Sequence, residues 1–62
     1  MDKLTVKNVR NLLGLTQTEM AAKLNMTRHV YAYKENGITS WLSVEVEKFL
    51  EATGYKFEQV KF

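Results

Sequence analysis

LTQTEMAAKLNMTRHVYAYKENG, residues 15–37, reads as two short helices joined by a tight turn and closed by a Glu-Asn-Gly stop. Thr16 followed three residues later by Glu19 is a capping box, in which each side chain satisfies the other's backbone N–H, so a helix is expected to begin at Gln17. Met20, Ala21 and Leu24 then form its apolar stripe, with Glu19 and Lys23 turned away and the small Ala21 admitting a close helix crossing. Asn25 is the non-glycine residue type that most readily takes the left-handed conformation ending a helix abruptly, and Met26 is expected to tuck inward. Thr27 can cap the next helix, predicted over Arg28 to Asn36, with Gly37 as its stop.

Outward from this stretch, a first helix is expected over Thr5 to Leu13, with Val6, Val9 and Leu13 on one face, Leu12 and Leu15 broadening it, and Gly14 at its end. With no proline in the chain, Gly14, Gly37 and Gly54 divide it into four segments, without repeat or linker. After a loop, Ile38 to Trp41, the segment LSVEVEKFLEAT places Leu42, Val46, Phe49, Leu50 and Thr53 at helical spacing, predicting a fourth helix ending at Gly54. Its first residues also alternate, with Leu42, Val44 and Val46 between Ser43, Glu45 and Glu47, which is a strand pattern. Helix is the reading taken, and strand its alternative.

The stretch 15–37 resembles the phage repressor, Cro and Xre group, in which LTQ-x-E-hydrophobic-A opens the second helix and ENG ends the recognition helix. Val6 to Gly14 resembles that group's first helix, and the likeness covers nearly the whole chain without insertion. It implies an all-α, lambda-repressor-like helix-turn-helix domain of four to five helices, a C-terminal β-hairpin, as in some Cro relatives, being the alternative. By resemblance YKFEQVKF is a short fifth helix whose Phe57, Val60 and Phe62 close the core, although Lys56 offers no cap where the group often has serine. The resemblance also implies a structural salt bridge from Arg10 of the first helix to Glu35. Two positions depart from it: Tyr31, where the group prefers Ile or Val, and Lys34, where it usually has an apolar residue. Tyr31 can fill core space with its hydroxyl at the edge, and Lys34 can lay its stem over Trp41.

Sixty-two residues permit one domain, 1–62, burying only about 60% of the unfolded surface. No cysteine is present, and one histidine cannot build a metal site, so no metal or cofactor is expected and the redox compartment is unreadable. Apolar runs are far below the roughly 20 residues that span a bilayer, and no leader-like apolar region opens the chain, which implies a soluble, cytoplasmic protein. Net charge is +2, but residues 1–37 hold six Lys and Arg against three acids, while residues 38–62 hold three against four. Such asymmetry suits one face meeting a polyanion.

A recognition helix enters the major groove with its N-terminal part against base edges, so Arg28, His29, Ala32 and Tyr33 are the base-reading candidates by position. Arg28 leads, because arginine donates two parallel hydrogen bonds to guanine O6 and N7; a phosphate contact is its bland alternative. His29 can accept or donate at a base edge, and Tyr33 can reach a thymine methyl or a phosphate. Phosphate contacts are expected from Thr16 and Gln17, where the second helix begins and where both resemble the group's phosphate contacts, and from Thr27, Asn36, Thr39, Ser40 and Lys7.

The expectation is a regulator that binds a double-stranded DNA operator site-specifically as a homodimer, most plausibly a phage or prophage Cro-like or Xre-like repressor in a bacterial cell or phage-infected host. Trp41, Val44, Tyr55 and Phe62 are candidate interface residues. The alternative is a protein-interaction module, such as an antitoxin-like subunit with little DNA binding. The acids and His29 show no nucleophile-base spacing or metal-ligand cluster, so no enzyme is expected.

Overall fold

A computed structural model describes residues 2–62. A two-residue strand β1 (Leu4–Thr5) is followed by four helices, α1 (Val6–Leu12), α2 (Gln17–Lys23), α3 (Arg28–Glu35) and α4 (Ser43–Thr53). A single 3₁₀ turn over Phe57–Gln59 leads to β2 (Val60–Lys61).

Helices α1, α2 and α3 all begin at threonine caps. Thr16 and Glu19 form the expected box, with Glu19 N–H donating to Thr16 Oγ1 at 3.1 Å and Thr16 N–H to Glu19 Oε1 at 2.9 Å. Thr5 and Asn8 form a second, which the helix pattern alone does not disclose. Thr27 Oγ1 accepts from Val30 N–H. Thr5→Ala should cost about 1 kcal/mol and lower the melting temperature by about 4–8 °C, measured by thermal denaturation.

The same three helices end in a left-handed residue, Gly14, Asn25 or Gly37, with the following N–H reaching back to the third-last carbonyl: Leu15 to Arg10, Met26 to Ala21, Ile38 to Tyr33. Asn25 holds φ 57° and ends α2 as its residue type suggests. α3 stops at Glu35, with Asn36 as its cap rather than its last residue.

Val6, Val9, Met20, Ala21, Leu24, Tyr31, Phe49 and Val60 are buried together. The first helix is shorter than Thr5 to Leu13, and Leu13 does not join this face: the turn at Gly14 carries it outward, and Leu15 packs on the core instead. Leu12 is 66% exposed, so it does not broaden the face either.

Residues 43–53 are helical, as the 3.6-residue spacing predicts, and no hairpin forms among the described residues after Trp41. The fifth helix is not formed. Too short to repay helix nucleation, the final segment satisfies its backbone by parallel pairing of β2 with β1, Leu4 opposite Val60 and Thr5 opposite Lys61. Val60 thereby enters the core, whereas Phe57 is 59% exposed, stacked on Phe62 with Lys3 Nζ 5.7 Å from its ring centroid. Lys56 provides no side-chain cap; Gln59 Oε1 accepts from Lys56 N–H at 2.8 Å, and Gln59 N–H donates to the Lys56 carbonyl at 2.9 Å. Trp41 meets Tyr31, Phe49 and Phe62 edge to face at 5.3–6.3 Å between centroids, anchoring the α3–α4 connector and the chain's end on one aromatic cluster.

Candidate nucleic-acid interface

An eight-residue helix advances about 12 Å, matching the width of a B-DNA major groove. Along α3, Tyr31 and Lys34 turn inward, which leaves Arg28, His29, Ala32 and Tyr33 on the other side at i, i+1, i+4 and i+5. Arg28, His29 and Tyr33 are exposed, and the small Ala32 is half-buried between them, so a shallow face with polar margins looks outward.

What holds that face is a carboxylate beneath it that accepts four hydrogen bonds from three residues. Glu35 accepts from Arg10 Nε at 2.8 Å and Arg10 Nη2 at 3.2 Å, from Gln17 Nε2 at 3.1 Å and from the Tyr31 hydroxyl at 2.6 Å. Arg10 Nη1 also donates to the Leu15 carbonyl at 2.8 Å, so α1, the following turn, α2 and α3 meet at one point. Burial alone would raise the Glu35 pKa, but the bonds from Arg10, Tyr31 and Gln17 outweigh it and hold the carboxyl below its ordinary range. The Tyr31 hydroxyl is pushed up by burial and by Glu35, and the hydrogen bond to Glu35 raises Arg10. Arg10 and Glu35 pair as the resemblance implies; the roles of Tyr31 and Gln17 had no local sequence signal.

This node also orders the polar rim. Because Gln17 touches Glu35, the start of α2 lies beside the end of α3, bringing Thr16 and Gln17 to the same edge as Asn36. Thr16, Thr27, Asn36, Thr39, Ser40 and Lys7 are exposed, and Gln17 is half-buried. Thr16 Oγ1 and Thr27 Oγ1 accept cap bonds and keep their protons to donate. The start of α2 already carries an anion of its own: Glu19 accepts from the Thr16 backbone, the chief cause of its lowered pKa.

Two of the six cations in residues 1–37 are spent internally, Arg10 on Glu35 and Lys34 on Glu45, and Lys3 lies over Phe57. Lys23 lines a hollow with Lys48 and Glu51 of α4, away from the start of α2. Lys7 and Arg28 remain as exposed cations for an anionic ligand. Lys34 and Trp41 line one hollow, and the Lys34 ammonium is buried at Glu45.

Of the four candidate interface residues, Trp41 and Tyr55 pack against their own core, while Val44 and Phe62 remain exposed. No group of three or more His, Asp or Glu converges among the described residues to hold a metal, and none of the described helices is long and apolar enough to cross a membrane.

Comparison with curated proteins and with solved structures returns no match. A family model described as Helix-turn-helix matches residues 6–60, from the first residue of α1 to the first residue of β2. The chain therefore belongs to the Xre/Cro-type helix-turn-helix family of DNA-binding regulators.

Proposed function

We propose that this protein is a sequence-specific repressor, of phage or prophage origin, that binds operator DNA as a homodimer in the cytoplasm. The observation that carries the reading is the exposed face of α3, where Arg28, His29, Ala32 and Tyr33 stand together over a rigid ionic node. In this reading α3 lies in the major groove, Arg28 reads guanine, and His29, Ala32 and Tyr33 contact neighbouring base edges. Thr16, Gln17, Thr27, Asn36, Thr39, Ser40 and Lys7 grip the flanking phosphates, which sets register without reading sequence. A copy this small covers little DNA, so two copies on a two-fold operator supply the affinity, with Val44 and Phe62 as the exposed apolar residues nearest to an interface role. Regulation follows from occupancy alone: the protein blocks a site and performs no chemistry there.

Arg28→Ala tests the assignment. On a selected operator it should cost about 1–3 kcal/mol and flatten preference at one base position per half-site, while Lys7→Ala weakens all duplexes alike. Binding of both variants to single-base operator variants at fixed salt decides. An equal loss on every duplex for Arg28→Ala would make Arg28 a phosphate contact and leave reading to His29 and Tyr33.

A further inference from the structure

The connector between α3 and α4, residues 38–42, carries two of the proposed phosphate contacts, and Trp41 alone among its residues packs on the core. Ile38, Thr39, Ser40 and Leu42 are all exposed, and only Trp41 is half-buried. A hollow of about 340 Å³, lined by Lys34, Thr39, Ser40, Trp41, Val46 and Phe62, opens beside it. The residues on either side of Trp41 are held by polar ties. The Tyr33 carbonyl accepts from Ile38 N–H at 2.8 Å and Thr39 N–H at 3.3 Å. Lys34 Nζ donates to the Ser40 carbonyl at 2.9 Å. Leu42 N–H donates to Glu45 Oε1 at 2.9 Å, the same oxygen that lies 2.8 Å from Lys34 Nζ.

Lys34 is thus the hub, and stability alone does not explain why a lysine stands there. Its side chain is 9% exposed and that of Glu45 16%. A well-packed apolar pair in such a place is commonly as stable as the ion pair or more so. An apolar residue, however, cannot hold the Ser40 carbonyl, and neither Lys34 nor Glu45 is exposed enough to serve as a DNA contact.

We propose that Lys34, through its bonds to Ser40 and Glu45, is a positioning residue that fixes the 38–42 connector so that Thr39 and Ser40 meet the DNA backbone. This rests on the DNA-binding reading and adds to it a residue that never touches the nucleic acid. The charged pair ties Ser40 and Leu42, the residues on either side of the Trp41 anchor.

The test is the double variant Lys34→Met/Glu45→Gln. It keeps net charge, keeps a capping side chain at the start of α4, and removes the hub. Thermal melts should stay close to the parent, while affinity should fall about tenfold per copy, and so about a hundredfold for a dimer, on specific and non-specific duplexes alike, the scale of one lost charge-assisted hydrogen bond per copy. Adding Thr39→Ala should then cost little more, although it costs affinity in the parent. Lys34→Leu/Glu45→Met, which also removes both charges together, serves if the first double variant fails to fold, with the same loss and the same lack of additivity. Parent-like affinity in a folded double variant, or losses from the double variant and Thr39→Ala that simply add, would overturn the positioning role. Failure of the unaltered protein to bind any duplex would instead overturn the DNA reading on which it rests.

Discussion

Glu35→Ala should destabilise the domain by about 3 kcal/mol, a third or more of its total stability. A chain of 62 residues has a total stability of about 3–9 kcal/mol. Removing one partner of a buried ion pair costs about 3–5 kcal/mol, because the other charge is left without compensation. The low end applies because Arg10 keeps some water contact, with 11% of its side chain exposed against 1% for Glu35. The Tyr31 hydroxyl and Gln17 amide lose an acceptor in the same step. Arg10→Ala should also destabilise, and the double variant should lose less than the sum, since each deletion removes the same interaction. Denaturant titration measures all three; strict additivity would mean that the pair contributes nothing as a pair.

Acid should act on the same node. The folded-state pKa of Glu35 lies below its ordinary value of 4.5, so the stability it supplies is fully present above about pH 4.5 and lost as pH falls through the depressed value. Glu45 shifts in the same direction: burial opposes ionisation, and the bonds from Lys34 and the Leu42 N–H outweigh it. Melting temperature should therefore fall as pH drops below about 4.5, and Glu35→Gln should flatten that decline.

The second large effect is that of salt. In the proposed reading Lys7 and Arg28 are the cations that meet DNA, which makes about four neutralised phosphates per dimer and a log–log slope near −3.6. Raising salt from about 50 to about 200 mM should weaken binding about 150-fold. Had all six motif-half cations faced the duplex, the slope would be about three times steeper, so a titration distinguishes them. A slope near −10 would show that cations besides Lys7 and Arg28 meet the duplex.

Much of the motif was readable because its determinants are local. The box of Thr16 and Glu19, the Thr27 cap and the left-handed Asn25 each depend on residues within one turn, and propensity acts there without tertiary help. Leu13 misled because helical spacing ignores where the turn at Gly14 ends the helix. The strand pair β1–β2 left no trace in local pattern: each strand has two residues, and its partner stands at the opposite end of the chain. Lys34 and Glu45 were unreadable as a pair for the same reason, since nothing in either neighbourhood signals the other. Arg28, His29, Ala32 and Tyr33 could be named from position alone, because a helix puts i, i+1, i+4 and i+5 on one side; which bases they meet depends on a duplex the sequence does not contain.

The most direct measurement is selection of duplexes from a random pool by the purified protein, followed by titration of the recovered and scrambled sequences at fixed salt. The α3 reading predicts a two-fold symmetric consensus bound at least about a thousandfold more tightly than scrambled DNA. Equal, weak binding to every duplex, or none, would contradict it.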